Sequence, residues 1–262
     1  MIDYLEINKN NIKFKVVNKK DNVFWKNYQN NEWESDFFKL FDRIPDKNIK
    51  SFIDIGAAQG PITLYVSNYV SKTISIEPSK YYFNLLSKNI LLNNLKNVHV
   101  LFGAIGLIDK KTIFKTGDEF SSIMFGIEKG GYEIDVYELS SIIEKYDISK
   151  FILKIDIEGY EFNLLNNSNF FKLISDYKPP FFLGVHLGCS SLFKYKIAKY
   201  NFLQRFYNLS KTFSEYRIIY KLLKEYKYAY IEGVRVSNLF FLTKKYYRKD
   251  FDIFLTNEPL TK

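Results

Sequence analysis

From Ser51 to Leu187 the chain alternates short apolar runs with stretches of helical hydrophobic spacing. The runs Ser51 to Ala57, Lys72 to Glu77, Val98 to Phe102, Phe151 to Ile157 and Phe181 to Leu187 read as strands. Between them, helices are predicted over 60–69, 80–93, 138–146 and 160–168, with Phe83, Leu86 and Ile90 on one face of the second. Alternation of this kind means crossover connections and a parallel sheet covered on both faces. Residues 108–136 break the rhythm. Thr112-Ile113-Phe114, Ser122-Ile123-Met124 and Tyr132 to Val136 look like short strands joined at Gly117 and Gly130-Gly131, so an inserted antiparallel segment is expected there. Beyond Leu187 the pattern predicts a long basic and aromatic helix from about Ser191 to Leu209 and another helix over 215–226. A closing hairpin of Tyr228 to Glu232 and Leu239 to Thr243 around Gly233 follows. Upstream, Ile12 to Val17 alternates like a strand, and Trp33, Phe37, Leu40 and Phe41 fall at helical spacing. The expected organisation is an N-terminal extension over 1–50, one doubly wound α/β domain over 51–248, and a loose tail over 249–262.

The first strand carries the most specific signal. Phe52-Ile53-Asp54-Ile55-Gly56-Ala57-Ala58-Gln59-Gly60 is an apolar run that ends in an acid and then in small residues. Gly56, Ala57, Ala58 and Gly60 let a ligand lie against the backbone, and a helix starting near Pro61 points free N–H groups at it. The spacing is neither the phosphate-wrapping nor the dinucleotide glycine pattern. A ligand with a cationic ammonium and no pyrophosphate, such as S-adenosylmethionine, suits it better. Glu77 ends the second strand, before Pro78, about 20 residues on. A carboxylate there accepts two hydrogen bonds from a ribose diol. Gly103 and Ala104, after the third strand, would leave a slot for an adenine ring.

The fourth strand runs into Lys154-Ile155-Asp156-Ile157-Glu158-Gly159-Tyr160-Glu161. Lys154, Asp156 and Glu158 alternate on one face, and a carboxylate buried there needs a partner, which Lys154 is placed to supply. Glu161 also reads simply as an acid favoured by the helix dipole. His186 ends the fifth strand between Gly184 and Gly188, and His titrates near neutral pH. Asp156 and His186 are thus the candidate bases for deprotonating an acceptor. Asp156, Glu158 and His186 are also chemically able to hold a divalent cation, although no tight ligand spacing supports it, so no metal is expected.

These residues resemble the FkbM-type S-adenosylmethionine-dependent methyltransferases, whose usual string at the fourth strand is K-[IV]-D-[VI]-E-G-x-E. The resemblance covers about residues 33–188 and continues more loosely to 243. Trp33-Glu34 resembles the family's acidic helix, Ser121-Ser122-Ile123 its serine segment, and Val185-His186 the end of its fifth strand. The resemblance implies a class I methyltransferase fold, a Rossmann-like seven-stranded sheet in the order 3-2-1-4-5-7-6. It implies S-adenosylmethionine as cofactor, held by Glu34, Asp54, Gly56, Ala57, Ala58, Gly60, Glu77, Pro78, Gly103, Ala104, Ser122 and Asp156. It implies O-methylation of a sugar or small-molecule hydroxyl, with Asp156, His186 and Lys154 catalytic and Glu158, Glu161 and His186 toward the acceptor.

Composition adds alternatives. The net charge of +9 suits an anionic partner such as nucleic acid or a membrane surface. Abundant Lys, Asn, Ile, Phe and Tyr, all with A/T-rich codons, account for it as well. Lys194, Lys196, Lys199 and Arg205 interleave with Phe193, Tyr195, Tyr200, Phe202 and Phe206. That segment reads first as a helix packed on the sheet, with RNA stacking or an anionic membrane surface as its alternatives. An RNA 2′-O-methyltransferase and a catalytically inactive binding module are the competing readings. The single Cys189 excludes an intramolecular disulfide. With no secretory leader and no apolar run of spanning length, a cytoplasmic protein without a transmembrane segment is expected.

Overall fold

The computed structural model describes residues 2–19, 22–45, 48–114, 131–187, 202–236 and 250–261. The chain forms two compact units, one of residues 1–112, 133–154 and 260–262, the other of 113–132 and 155–259.

The first unit begins with an antiparallel hairpin, β1 (Tyr4–Lys9) and β2 (Ile12–Val17), followed by α1 (Val23–Gln29) and α2 (Ser35–Phe41). Then come β3 (Ser51–Ile55), α3 (Pro61–Val66), β4 (Lys72–Glu77), α4 (Lys80–Leu92), β5 (Val98–Gly106), β6 (Lys110–Phe114), β7 (Tyr132–Glu138), α5 (Leu139–Lys145) and β8 (Phe151–Ile155). The strand order is β8-β3-β4-β5-β7-β6. β3, β4, β5 and β7 are parallel, with Ile55 opposite Ile76, Glu77 opposite Phe102 and Gly103 opposite Asp135. Every residue of β3 and β8 is buried, which is why both are mostly apolar, with Asp54 and Lys154 as the buried charges. The order β5-β4-β3-β8 is the expected 3-2-1-4 arrangement.

Two features of this unit differ from expectation. The segment after β5 joins the sheet, with β7 parallel to β5, while its predicted strand over 122–124 lies outside the described residues. The N-terminal extension holds more structure than one strand and one helix. Asn89 on α4 accepts from the Val17 N–H at 2.8 Å and donates to the Gln59 carbonyl at 2.9 Å. Asn93 both accepts from and donates to the Lys15 backbone at 2.7 Å. These two amides pair with the edge of β2 where a further strand would otherwise be needed. Tyr28 is fully buried, donates to the Pro61 carbonyl at 3.0 Å and meets Phe14, Trp25 and Phe38 edge-on.

The second unit contains α6 (Glu161–Asn166), α7 (Ser168–Tyr177), β9 (Phe181–Val185), α8 (Phe202–Leu223), β10 (Tyr228–Ile231), β11 (Val234–Arg235) and β12 (Phe251–Thr256). Its strand order is β11-β10-β12-β9, all antiparallel, with Phe251 opposite Val185 and Tyr228 opposite Thr256. The sequence β9-β12-β10 is the expected 5-7-6 arrangement. Residues 249–262 are therefore not a loose tail. Phe254 stacks on Phe182 with centroids 4.2 Å apart, and β12 is the strand that β9 and β10 share. Gly233 does turn a hairpin, but its described second arm is Val234–Arg235. The predicted strand over 239–243, the helix residues 191–201 and Ser122 lie outside the described residues. Among the described residues no helix is long and apolar enough to cross a membrane.

Candidate active site

In the first unit the turn after β3 is built from left-handed backbone. Gly56, Ala58 and Gly60 have φ of 81°, 49° and 93°. The N–H groups of Gly56 and Ala57 donate to the Ile76 carbonyl, fastening the turn to the end of β4. Glu77 grips the turn through its side chain. Its Oε2 accepts from the Ala58 N–H at 2.8 Å and its Oε1 from the Ser79 N–H at 2.7 Å, across Pro78. Burial drives the Glu77 carboxyl up to about 7, against the pull of those two N–H groups and of Lys154.

Beneath the turn Asp54 is fully buried. Its Oδ2 accepts from the Thr63 hydroxyl at 2.6 Å, Thr63 shares a 2.8 Å hydrogen bond with Ser75, and Lys154 Nζ lies 3.9 Å from Asp54 Oδ1. Lys154 thus meets an acid of β3, whereas the sequence pattern pointed to the acids that follow it. Thr63 and Ser75 were not foreseen. The available signal was a hydroxyl on the buried face of each flanking element.

Three residues expected at the cofactor also serve packing. A Cβ at Gly60 would come within 2.5 Å of Leu86 Cδ1, so that glycine admits α4. β5 continues to Gly106, so Gly103 and Ala104 lie inside a strand and not in a turn. A Cβ at Gly103 would stand 2.4 Å from the Asp135 carbonyl oxygen, and Ala104 is buried opposite Val136. Close approach of β7 accounts for small residues at both positions. Glu34 is the partly exposed, left-handed N-cap of α2.

The second unit brings together Asp156, Glu158, Glu161 and His186. Glu158 and Gly159 are left-handed, with φ of 55° and 101°, and this tight turn starts α6 at Glu161. His186 Nδ1 lies 2.8 Å from Glu161 Oε1, which also accepts from the Ile157 N–H at 2.9 Å. His186 Nε2 lies 3.5 Å from Asp156 Oδ1 and 3.8 Å from Glu158 Oε2. Side-chain exposure is 1% for Glu161, 14% for His186, 28% for Asp156 and 40% for Glu158, so the cluster grades from core to surface. Burial pulls the imidazole down, but the Glu161 hydrogen bond and the charges of Glu161, Asp156 and Glu158 outweigh it and carry His186 to about 10. Burial raises the Glu158 carboxyl, against the charge of His186.

The chain matches the family model described as the methyltransferase FkbM domain over residues 54–230, more than half of its length. It belongs to the FkbM methyltransferase family. S-adenosylmethionine is accordingly the cofactor. The residues of the FkbM cradle fit that group: Glu77 is a buried carboxylate whose two oxygens are already oriented by backbone donors, as a ribose diol requires. The FkbM domain's class I fold appears in both halves of the strand order described above. No curated protein matches the chain. Solved structures similar to it include precorrin 8W decarboxylase of Methanobacterium thermoautotrophicum, 11% identical, with 86% of this chain and 89% of that one covered at a TM-score of 0.40. Precorrin-6y C5,15-methyltransferase of Geobacter metallireducens is 9% identical over 84% and 87%, also at 0.40. A Streptococcus mutans protein described as a methyltransferase and solved with SAH is 14% identical over 85% and 95%, again at 0.40.

Proposed function

We propose that this FkbM protein transfers a methyl group from S-adenosylmethionine to a hydroxyl oxygen of a sugar, glycan or other small molecule. The observation that carries the choice of oxygen is the carboxylate–histidine cluster in the second unit. An amine acceptor can attack from its neutral form, whereas a hydroxyl needs its proton removed during attack. Asp156 is the part-exposed carboxylate of that cluster and is assigned as the base. His186, held at Nδ1 by Glu161, faces Asp156 through Nε2 and positions it. Lys154 is assigned a structural part through Asp54, and Glu158, the most exposed acid, is assigned to the acceptor's neighbouring hydroxyls.

When bound, S-adenosylmethionine supplies an electrophilic methyl group on a cationic sulfur. Glu77 would hold its ribose, with the backbone of Gly56 to Ala58 beside it. Asp54, closed in with Thr63, Ser75 and Lys154, keeps that backbone in place.

The test is transfer from methyl-labelled cofactor to separate pools of glycans, small-molecule alcohols and RNA. Label recovered in a sugar or alcohol methyl ether is the expected result. Asp156→Asn should lower kcat by about 10²–10⁴ with cofactor affinity retained. Label found only in RNA, or full turnover by Asp156→Asn, would overturn the assignment.

A further inference from the structure

The turn after β3 is held at its far end by polar side chains of the N-terminal extension and of α4. Asn89 is 1% exposed, and its amide spans two backbones. Nδ2 donates to the Gln59 carbonyl at 2.9 Å, and Oδ1 accepts from the Val17 N–H at 2.8 Å. Tyr28 has no exposed surface and donates its hydroxyl to the Pro61 carbonyl at 3.0 Å. Lys9, also 1% exposed, holds Tyr28 in turn. Its Nζ donates to the Tyr28 carbonyl and to Asn31 Oδ1, each at 2.7 Å, and lies 4.3 Å from the centre of the Phe38 ring. A core that needed only volume here would be filled by apolar side chains, because a buried amide, phenol or ammonium is costly unless it is hydrogen-bonded. Each of these three donates to a backbone carbonyl, and the carbonyls taken by Asn89 and Tyr28 flank Gly60. The turn needs such anchors. Ala58 is left-handed at a φ of 49° without being glycine, a conformation that persists only where its surroundings fix it. Ala58 is also the residue whose N–H orients Glu77 Oε2.

We propose that Asn89 and Tyr28 are positioning residues for S-adenosylmethionine, through which the N-terminal extension fixes the backbone that receives it. Their role rests on the assignment of this turn and of Glu77 to the cofactor. The line of action is short. The Gln59 and Pro61 carbonyls set where the chain leaves Ala58, Ala58 presents its N–H to Glu77, and Glu77 thereby keeps its carboxylate turned to a ribose diol. Neither side chain is assigned to the reacting atoms, so loss of either weakens cofactor binding and leaves transfer from bound cofactor in place. The coupling is reciprocal: what orders the turn favours the cofactor, and bound cofactor favours what orders the turn. The Val17 N–H reports this directly, since it donates to Asn89. Asn93 supplies the contrast, one helical turn further along α4. Its hydrogen bonds go to the Lys15 backbone and to the Asn89 carbonyl, each at 2.7 Å. It therefore secures the same hairpin to the same helix, away from residues 59–61.

The experiment is calorimetry of S-adenosylmethionine binding to the full-length wild type, Asn89→Leu, Tyr28→Phe, Asn93→Leu and Glu77→Gln, with a thermal melt of each. Hydrogen exchange at the Val17 amide is followed by NMR with and without cofactor. The expected Kd rises roughly tenfold in Asn89→Leu and roughly fivefold in Tyr28→Phe, while Asn93→Leu stays within about twofold of wild type at a comparable loss of melting temperature. Cofactor should slow Val17 exchange in the wild type. Tyr28→Phe keeps the buried ring and loses one hydroxyl, so it carries the test if Asn89→Leu melts too early to assay. Wild-type affinity in Asn89→Leu and Tyr28→Phe, with Glu77→Gln weakened, overturns the positioning role and leaves the cofactor turn standing. Equal weakening in Asn93→Leu and Asn89→Leu overturns it too, since general loosening of the hairpin then suffices. Val17 exchange unaffected by saturating cofactor breaks the coupling and has the same consequence. Wild-type affinity in Glu77→Gln removes the assignment of the turn, and the positioning role with it.

Discussion

Cofactor affinity should depend on pH through Glu77. Its carboxyl stands at about 7, far above the ordinary 4.5, because burial disfavours the charge more than the Ala58 and Ser79 N–H groups favour it. A ribose diol donates to the ionised form, so the protonated fraction is lost to binding. About nine-tenths of Glu77 is ionised at pH 8 and about one-tenth at pH 6, which predicts roughly tenfold weaker binding at the lower pH, about 1.4 kcal/mol. Binding at pH 7 should release about half a proton per cofactor, read by calorimetry in two buffers of different ionisation enthalpy. The cofactor's own α-amino group titrates at roughly 7.7–8.0, so the part due to Glu77 is the difference between wild type and Glu77→Gln. Identical slopes in the two proteins, or an affinity constant from pH 6 to 8, would refute the reasoning. The same group shapes the stability of the cofactor-free protein. Folding raises its pKa, so its stabilising contribution is full below about 4.5, declines as pH rises, and is lost above about 7. The displacement corresponds to about 3 kcal/mol as an order of magnitude.

Three other perturbations separate the parts of the fold. Gly60→Ala sets a Cβ 2.5 Å from Leu86 Cδ1 at a φ of 93°, and should lower stability by about 1–3 kcal/mol in urea melts. A neutral effect would mean that α4 yields easily. Thr63→Val removes the hydroxyl shared by Asp54 and Ser75 and should cost about 1–3 kcal/mol, measured by chemical denaturation. A stability within 0.5 kcal/mol of wild type, a margin roughly that of surface changes, would show that the network is dispensable. Phe254→Ala vacates the stack on Phe182 and should cost about 3–5 kcal/mol. A truncated protein ending at Asp250 that melts like the intact chain would contradict the role given to β12.

Legibility followed burial. β3, β4, β8 and β9 are buried almost throughout, and their bounds were readable to within two residues. The three acids around His186 were also readable as candidates, because acids at the end of an apolar strand demand a reason. β1 and β12 were not. In Tyr4–Lys9 polar residues alternate on an exposed face, and Phe251–Thr256 sits between a basic aromatic stretch and Pro259. Only pairing with β9 and β10, strands remote in sequence, makes a strand of the latter. Lys154 shows the same limit at the scale of one side chain. Alternation within its strand offered it Asp156 and Glu158, while the parallel sheet gave it Asp54, a hundred residues away.

The glycines carry this argument furthest. A bare backbone position in a sequence signals that something comes close, and it is silent on what. At Gly60 the neighbour is Leu86, at Gly103 it is the Asp135 carbonyl with Tyr137, and at Gly106 it is Val136. Each of these is a packing contact made by a helix or strand met later in the chain. At Gly184 the neighbours are instead Asp156 and His186, two polar groups that face one another at 3.5 Å. A core contact tolerates a small repacking, whereas polar groups pushed aside lose their mutual geometry. Gly184→Ala should therefore leave the melting transition within a few degrees of wild type while lowering methyl transfer by roughly tenfold or more. A variant that melts early but transfers methyl at the wild-type rate would place Gly184 with the packing glycines.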